Sequence, residues 1–245
     1  VPASVAAAIG RALGVLHRAR GWEGAAPSPA PWALAAHRPP LERLRDLSNG
    51  AVQAIRVVQS DPSLPGRLDA LRAGWRADAL VHGDVKWDNV VVALSPRPGD
   101  PATVRLVDWE LAGAGDQDWD VGSALAAHLT AWLVSIPSGG DADGDRLLAS
   151  ARHPLAPMRP AIAALWDGYR EARGLSPDEA RARVPRAVEL AGVRLLQTAL
   201  ESAQTTDRLT GGVVLHLQVA ANLLARPRDA AAALLGLSAE EGGGG

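Results

Sequence analysis

Two short stretches hold the side chains whose types and spacing could do chemistry. Residues 80–89 read LVHGDVKWDN, and residues 104–110 read VRLVDWE. The first contains H-x-D-x-K-x-x-N; the second brings an aspartate to the end of an apolar run. Asp84 could orient a hydroxyl and accept its proton, and Lys86 could offset charge on a phosphoryl group. Asn89 and Asp108 supply the hard oxygen ligands that Mg²⁺ takes alongside phosphate and water. These are the groups that phosphoryl transfer from ATP requires. Asp84 lies five residues before Asn89. A loop of that length can turn back on itself, so that the Asp faces the substrate hydroxyl and the Asn the metal.

Such a loop needs a frame. Residues 90–94, VVVAL, and 104–107, VRLV, are rich in β-branched and apolar residues, and SPRPGDP between them is dense in turn formers. The pattern predicts a two-stranded hairpin. Antiparallel pairing would set Asn89, at the start of one strand, beside Asp108, at the end of the other.

Helical periodicity covers most of the rest. Val5, Ala8, Ile9, Ala12, Leu13 and Leu16 share one face of a predicted helix over 2–20. Further helices are expected over 41–59, 64–75, 121–134, 159–173, 212–225 and 228–237. Ser176-Pro177-Asp178-Glu179 reads as a capping box with Pro in the first turn, opening a helix to about Thr206 with a kink near Pro185. Residues 137–145, PSGGDADGD, read as a mobile loop. The acids Asp141, Asp143 and Asp145 faintly suggest a calcium loop, but Arg152 stands where its twelfth-position glutamate belongs. His37, His128, His153 and His216 show no metal-ligand spacing.

HGDVKWDN followed by VDWE resembles the aminoglycoside phosphotransferase and choline kinase group, a branch of the protein-kinase-like fold. The motifs cover roughly residues 81–126, and a weaker likeness extends to LGVLHR at 13–18. The resemblance implies that Asp84 is the catalytic base and that Asn89 and Asp108 are magnesium ligands. It implies that His82 props the loop, and that Asp120 is a buried carboxylate accepting hydrogen bonds from the loop backbone. Lys86 departs from the histidine common in that group and matches Ser/Thr protein kinases, where a lysine sits near the transferred phosphate. The string is also similar to kinase-like subunits that activate peptide hydroxyls in bacterial lanthipeptide and thioamitide assembly.

Composition narrows the remaining classes. At 245 residues and 47% hydrophobic, the chain has the material for one core. It has no cysteine, which excludes disulfides, thiol nucleophiles and cysteine metal sites. A net charge of -2 gives no nucleic-acid footprint. No apolar run reaches the length of a membrane span, and a cytoplasmic location is expected. Lys86 is the only lysine, and no Gly-rich loop and strand precede Asp84. A kinase holds the α- and β-phosphates of ATP with a second lysine on its N-terminal lobe. The expected architecture is therefore a single C-terminal lobe over 1–241, mainly α with one small antiparallel β-hairpin. The catalytic loop lies at 80–89, the metal motif at 104–110, a helical subdomain at 120–237 and a disordered tail at 242–245. The N-terminal lobe is expected in another part of the protein or on another chain. The expected activity is ATP- and Mg²⁺-dependent phosphorylation of a small-molecule hydroxyl. The alternatives are a Ser/Thr of a precursor peptide as acceptor, and a non-catalytic, pseudokinase-like binding module.

Overall fold

The computed structural model describes residues 1–93, 102–137 and 144–237. In chain order it contains α1 (Ala3–His17), α2 (Leu41–Arg45), α3 (Asn49–Ser60), α4 (Leu64–Ala73), β1 (Ala79–Val81), β2 (Val90–Ala93), β3 (Thr103–Leu106) and β4 (Gly113–Gly115). There follow α5 (Gln117–Val134), α6 (Gly144–Ala149), α7 (Arg159–Arg173), α8 (Pro177–Ala203), α9 (Gly211–Ala225) and α10 (Pro227–Ala230).

The expected hairpin forms. β2 and β3 pair antiparallel, with Val90 opposite Leu106 and Ala93 opposite Thr103. The expectation of one hairpin is corrected by a second two-stranded sheet, in which β1 pairs antiparallel with β4 and Leu80 faces Ala114. β4 is Gly-Ala-Gly, too short and too small to show alternation, so only the return of the chain to β1 reveals it as a strand.

Most helices fall where periodicity put them, and two departures trace to caps; the helix expected over 228–237 is instead the short α10 followed by a π-helical turn at Ala231–Leu235, and α6 was not expected. The single helix expected over 41–59 is two. Ser48 ends the continuity: its hydroxyl accepts the Ala51 N–H at 3.1 Å and starts α3 afresh. α5 begins four residues before the expected position 121, at Gln117, because the Asp116 carboxylate accepts the Asp118 N–H at 3.1 Å. α8 opens on the anticipated box: the Ser176 hydroxyl accepts from Glu179 N–H, and the Glu179 carboxylate accepts from Ser176 N–H. It continues through Pro185 to Ala203.

Three helix pairs make the largest interfaces: α1 on α7, α5 on α8, and α8 on α9. Leu125, Leu129, Leu190 and Leu195 are fully buried between the central helices, with Ile9, Leu165 and Tyr169 where α1 meets α7. The approach of α5 to α8 requires Gly122, since a Cβ there would stand 2.8 Å from both Ala187 O and Ala191 N. Residues 138–143 of the acidic loop, including Asp141 and Asp143, and the 242–245 tail lie outside the described residues. Among the described residues, no helix is long and apolar enough to cross a membrane.

Candidate active site

The loop carrying Asp84 leaves β1 and turns at Gly83, whose φ of +85° favours glycine; a Cβ there would lie 2.5 Å from Leu111 O. Two consecutive residues in the first turn of α5 grip this turn. The Trp119 indole N–H donates to Gly83 O at 2.8 Å. The Asp120 carboxylate, fully buried, accepts the Gly83 N–H on Oδ1 at 2.9 Å and the His82 N–H on Oδ2 at 2.7 Å. A carboxylate is favoured here because the N-terminal end of a helix carries positive potential. Behind it, the His17 Nε2–H donates to Asp120 Oδ2 at 3.2 Å, and His17 Nδ1 lies 3.2 Å from the Tyr169 hydroxyl. Burial, followed by the negative charge of Asp118, pushes the Tyr169 phenol well up, so it remains protonated.

His82 ties the loop to the hairpin. Val107 O can only accept and Asp84 N–H can only donate. The ring is therefore the Nε2–H tautomer, donating to Val107 O at 2.9 Å while Nδ1 receives the Asp84 N–H at 3.3 Å. Its ring packs against Trp109, with centroids 4.7 Å apart.

Asp84 sits at the centre of three donors. Lys86 Nζ is 2.6 Å from Oδ2, and Asn89 Nδ2 is 3.1 Å from the same oxygen and 2.9 Å from Asp84 O. Arg194, arriving from α8, places Nη2 3.0 Å from Oδ1. Burial by itself would raise the Asp84 pKa. The Lys86 hydrogen bond and the Arg194 charge outweigh it and hold the carboxyl below its ordinary value.

With both amide protons of Asn89 directed at Asp84, Oδ1 is its atom left to act as a metal ligand. The Val107 N–H donates to Asn89 O at 3.0 Å, which extends the β2–β3 pairing and brings the chain to Asp108 beside the Asn89 backbone. Asp108 is exposed and has φ +65°, the one positive φ outside glycine among the described residues. Such a backbone costs on the order of 1 kcal/mol and persists where its surroundings impose it. An oxygen-only pair of this kind, one amide and one carboxylate, suits Mg²⁺, which draws few ligands from protein.

Trp87 is turned inward: its indole N–H donates to Ala127 O at 2.9 Å, and its ring packs edge-on against His128. The second anchor of α5 is ionic. Arg183 donates to both Asp118 oxygens, at 3.0 and 3.1 Å, and Arg186 pairs with Asp116. Burial, with the neighbouring Asp116 charge, raises the Asp118 carboxyl despite the opposing pull of Arg183.

A cavity of about 560 Å³ opens further along α8, lined among others by Trp32, Glu42, Arg43, Asp46, Glu201 and Gln204. The Arg43 guanidinium lies 4.6 Å from the centre of the Trp32 ring. Arg194, Gln197, Glu201 and Gln204 follow one another at helical spacing along one side of α8. Glu201 is about 10 Å along the axis from Arg194 at 1.5 Å per residue.

The sequence motifs thus place Asp84, Lys86 and Asn89 together, with Asp108 adjoining through the hairpin, and His82 and Asp120 beneath them. Motif reading did not identify Arg194, Trp119 as a hydrogen-bond donor, or His17. Only His17 had a local signal, since it lies in the LGVLHR stretch. A model of the phosphotransferase enzyme family matches residues 1–175, covering α1, both sheets, the Asp84 loop and α5. A search of the curated proteins finds no match.

Proposed function

The chain belongs to the phosphotransferase enzyme family, and on that premise we propose that it phosphorylates a hydroxyl group of a small molecule, using ATP and Mg²⁺. The observation that carries this reading is the Asp84 carboxylate, held between Lys86 and Asn89 on a loop clamped by Asp120, Trp119 and His82. Asp84 orients the acceptor hydroxyl and takes its proton. The acceptor oxygen bonds to the γ-phosphorus as the bond to the β,γ-bridging oxygen breaks, its electron pair leaving with ADP. Lys86 offsets charge on the phosphoryl group in flight. Asn89 Oδ1 and the Asp108 carboxylate would hold Mg²⁺, whose role is to neutralise charge on the phosphates. Catalysis of this type is mostly positioning and electrostatics, which accords with so many contacts committed to the loop backbone.

The cavity along α8 is lined by Glu42, Asp46 and Glu201 together with Arg43, a net acidic wall that would suit a hydroxylated molecule with cationic groups. A Ser or Thr of a peptide is the second reading, favoured by Lys86 at the position where protein kinases carry lysine. Lys86 is the only lysine of the chain and is engaged with Asp84. The cation that holds the α- and β-phosphates would therefore come from an N-terminal lobe outside this sequence, in the same protein or in another chain.

The test measures ADP release with Mg²⁺ present, against a panel of aminoglycosides, choline-like alcohols, sugars and Ser/Thr peptides, with the phosphorylated product identified by ³¹P NMR. Both this chain and a form extended upstream by about 100 residues should be assayed. Asp84→Asn should lower kcat by about 10²–10⁴-fold, the range for losing a positioned general base. Acceptor-dependent ADP release that survives unchanged in Asp84→Asn would defeat the proposal.

A further inference from the structure

We propose that Arg194 is a positioning residue for Asp84: it holds one carboxylate oxygen so that the other stays aimed at the acceptor when Lys86 turns to the phosphoryl group. This rests on the phosphotransferase reading for its meaning in catalysis, though not for the contact itself.

The two oxygens of Asp84 are held from distant parts of the chain. Oδ2 is served by Lys86 and Asn89, both from the same loop, whereas Oδ1 is served by Arg194 from α8. The supports differ in stiffness. The Lys86 side chain is 39% exposed on a flexible stem two residues from its partner. The Arg194 side chain is 11% exposed, and its neighbours Val193 and Leu195 are fully buried in the core. The Thr198 hydroxyl donates to Arg194 O within the same helix. Among the described residues, Asp84 is the only carboxylate paired with Arg194.

Chemistry separates the two cations further. The reaction needs Lys86 to follow negative charge as it builds on the phosphoryl oxygens. Each excursion removes a donor from Oδ2 and exposes that oxygen to the acceptor, which is the productive arrangement. A guanidinium stays protonated at every working pH, and its planar fork is preorganised. Arg194 therefore keeps the carboxylate oriented throughout the cycle. α8 also lines the cavity at Glu201 and Gln204, so one helix carries both the partner of the base and a wall of that cavity.

The experiment compares Arg194→Met, Arg194→Gln and Arg194→Lys with wild type in the full-length active protein. With Arg194→Met, kcat at neutral pH should fall by about tenfold or more while KM for ATP stays within about twofold. Arg194→Lys should recover part of the lost kcat. In an Asp84→Asn background, where no carboxylate is left to aim, Arg194→Met should cost less than about twofold further, so the two changes are not additive. A kcat within about twofold of wild type in folded Arg194→Met, or a full additional loss in the Asp84→Asn background, overturns the proposal. A second readout needs no turnover. In ¹³C-aspartate-labelled protein at a fixed neutral pH, with Asp84 assigned through Asp84→Asn, the Asp84 carboxyl resonance should move once Arg194 is replaced. Absent wild-type activity together with a moved resonance refutes the phosphotransferase reading and leaves the pairing intact; an unmoved resonance refutes the pairing. Should Arg194→Met fail to fold, Arg194→Gln, which keeps a polar end at the site, carries both comparisons.

Discussion

Replacing Asp120 with alanine is the sharpest test of how this site is held. Its carboxylate is fully buried and accepts three hydrogen bonds, from His82 N–H, Gly83 N–H and His17 Nε2. Alanine leaves two backbone N–H groups buried in a turn with no alternative acceptor. Each such loss costs about 1–3 kcal/mol, so the two together cost roughly 2–6 kcal/mol before any effect on His17. The central figure, about 4 kcal/mol, is a large share of the roughly 5–15 kcal/mol that stabilises an ordinary domain. For a chain of this length, each kcal/mol lowers Tm by about 2–4 °C, which gives a drop of roughly 8–16 °C. Asp120→Asn keeps one acceptor oxygen but turns an amide N–H₂ toward a donor, so it should fall between alanine and wild type. Thermal unfolding followed by far-UV circular dichroism at neutral pH reads both variants. An Asp120→Ala melting point within about 2 °C of wild type would refute the reasoning, because two buried donors cannot lose their only acceptor at so small a cost.

Two further predictions concern the same neighbourhood. Gly83→Ala should destabilise by more than about 1–2 kcal/mol, the cost of a left-handed L-residue. Its Cβ would also lie 2.5 Å from Leu111 O, so a wild-type urea midpoint in this variant would contradict the turn geometry. Burial depresses the pKa of His128, against the smaller opposing effect of its hydrogen bond to Ala124 O. The unfolded chain therefore binds this proton more readily than the folded one. The stability His128 contributes is present above its ordinary value of 6.5 and is lost as pH falls through the depressed folded value. His128→Phe should flatten that part of the stability–pH curve; an unchanged slope in urea titrations below pH 6.5 would count against it.

Much of the site was legible because its parts are local. The spacing of His82, Asp84, Lys86 and Asn89 lies within a single turn of chain, and the apolar runs flanking SPRPGDP specify a hairpin through side-chain type alone. Capping chemistry is equally short-range, which is why Ser176 and Glu179 announced the start of α8 correctly. Ser48 carried the same kind of signal in the middle of an apolar periodicity, and there the local cap prevailed over the longer pattern.

What only the tertiary structure decided is which distant groups meet those local ones. No spacing rule connects Arg194 to Asp84, His17 to Asp120, or β4 to β1. Each meeting depends on how helices stack: α8 lies against α5 because Gly122 lets their backbones approach, and α1 lies against α7. The sequence alone determined which atoms could accept a proton, carry charge or bind magnesium, since those are properties of side chains. The fold determined the pKa of Asp84 and the aim of its two oxygens, since burial and the field of a cation depend on distance through space and not along the chain.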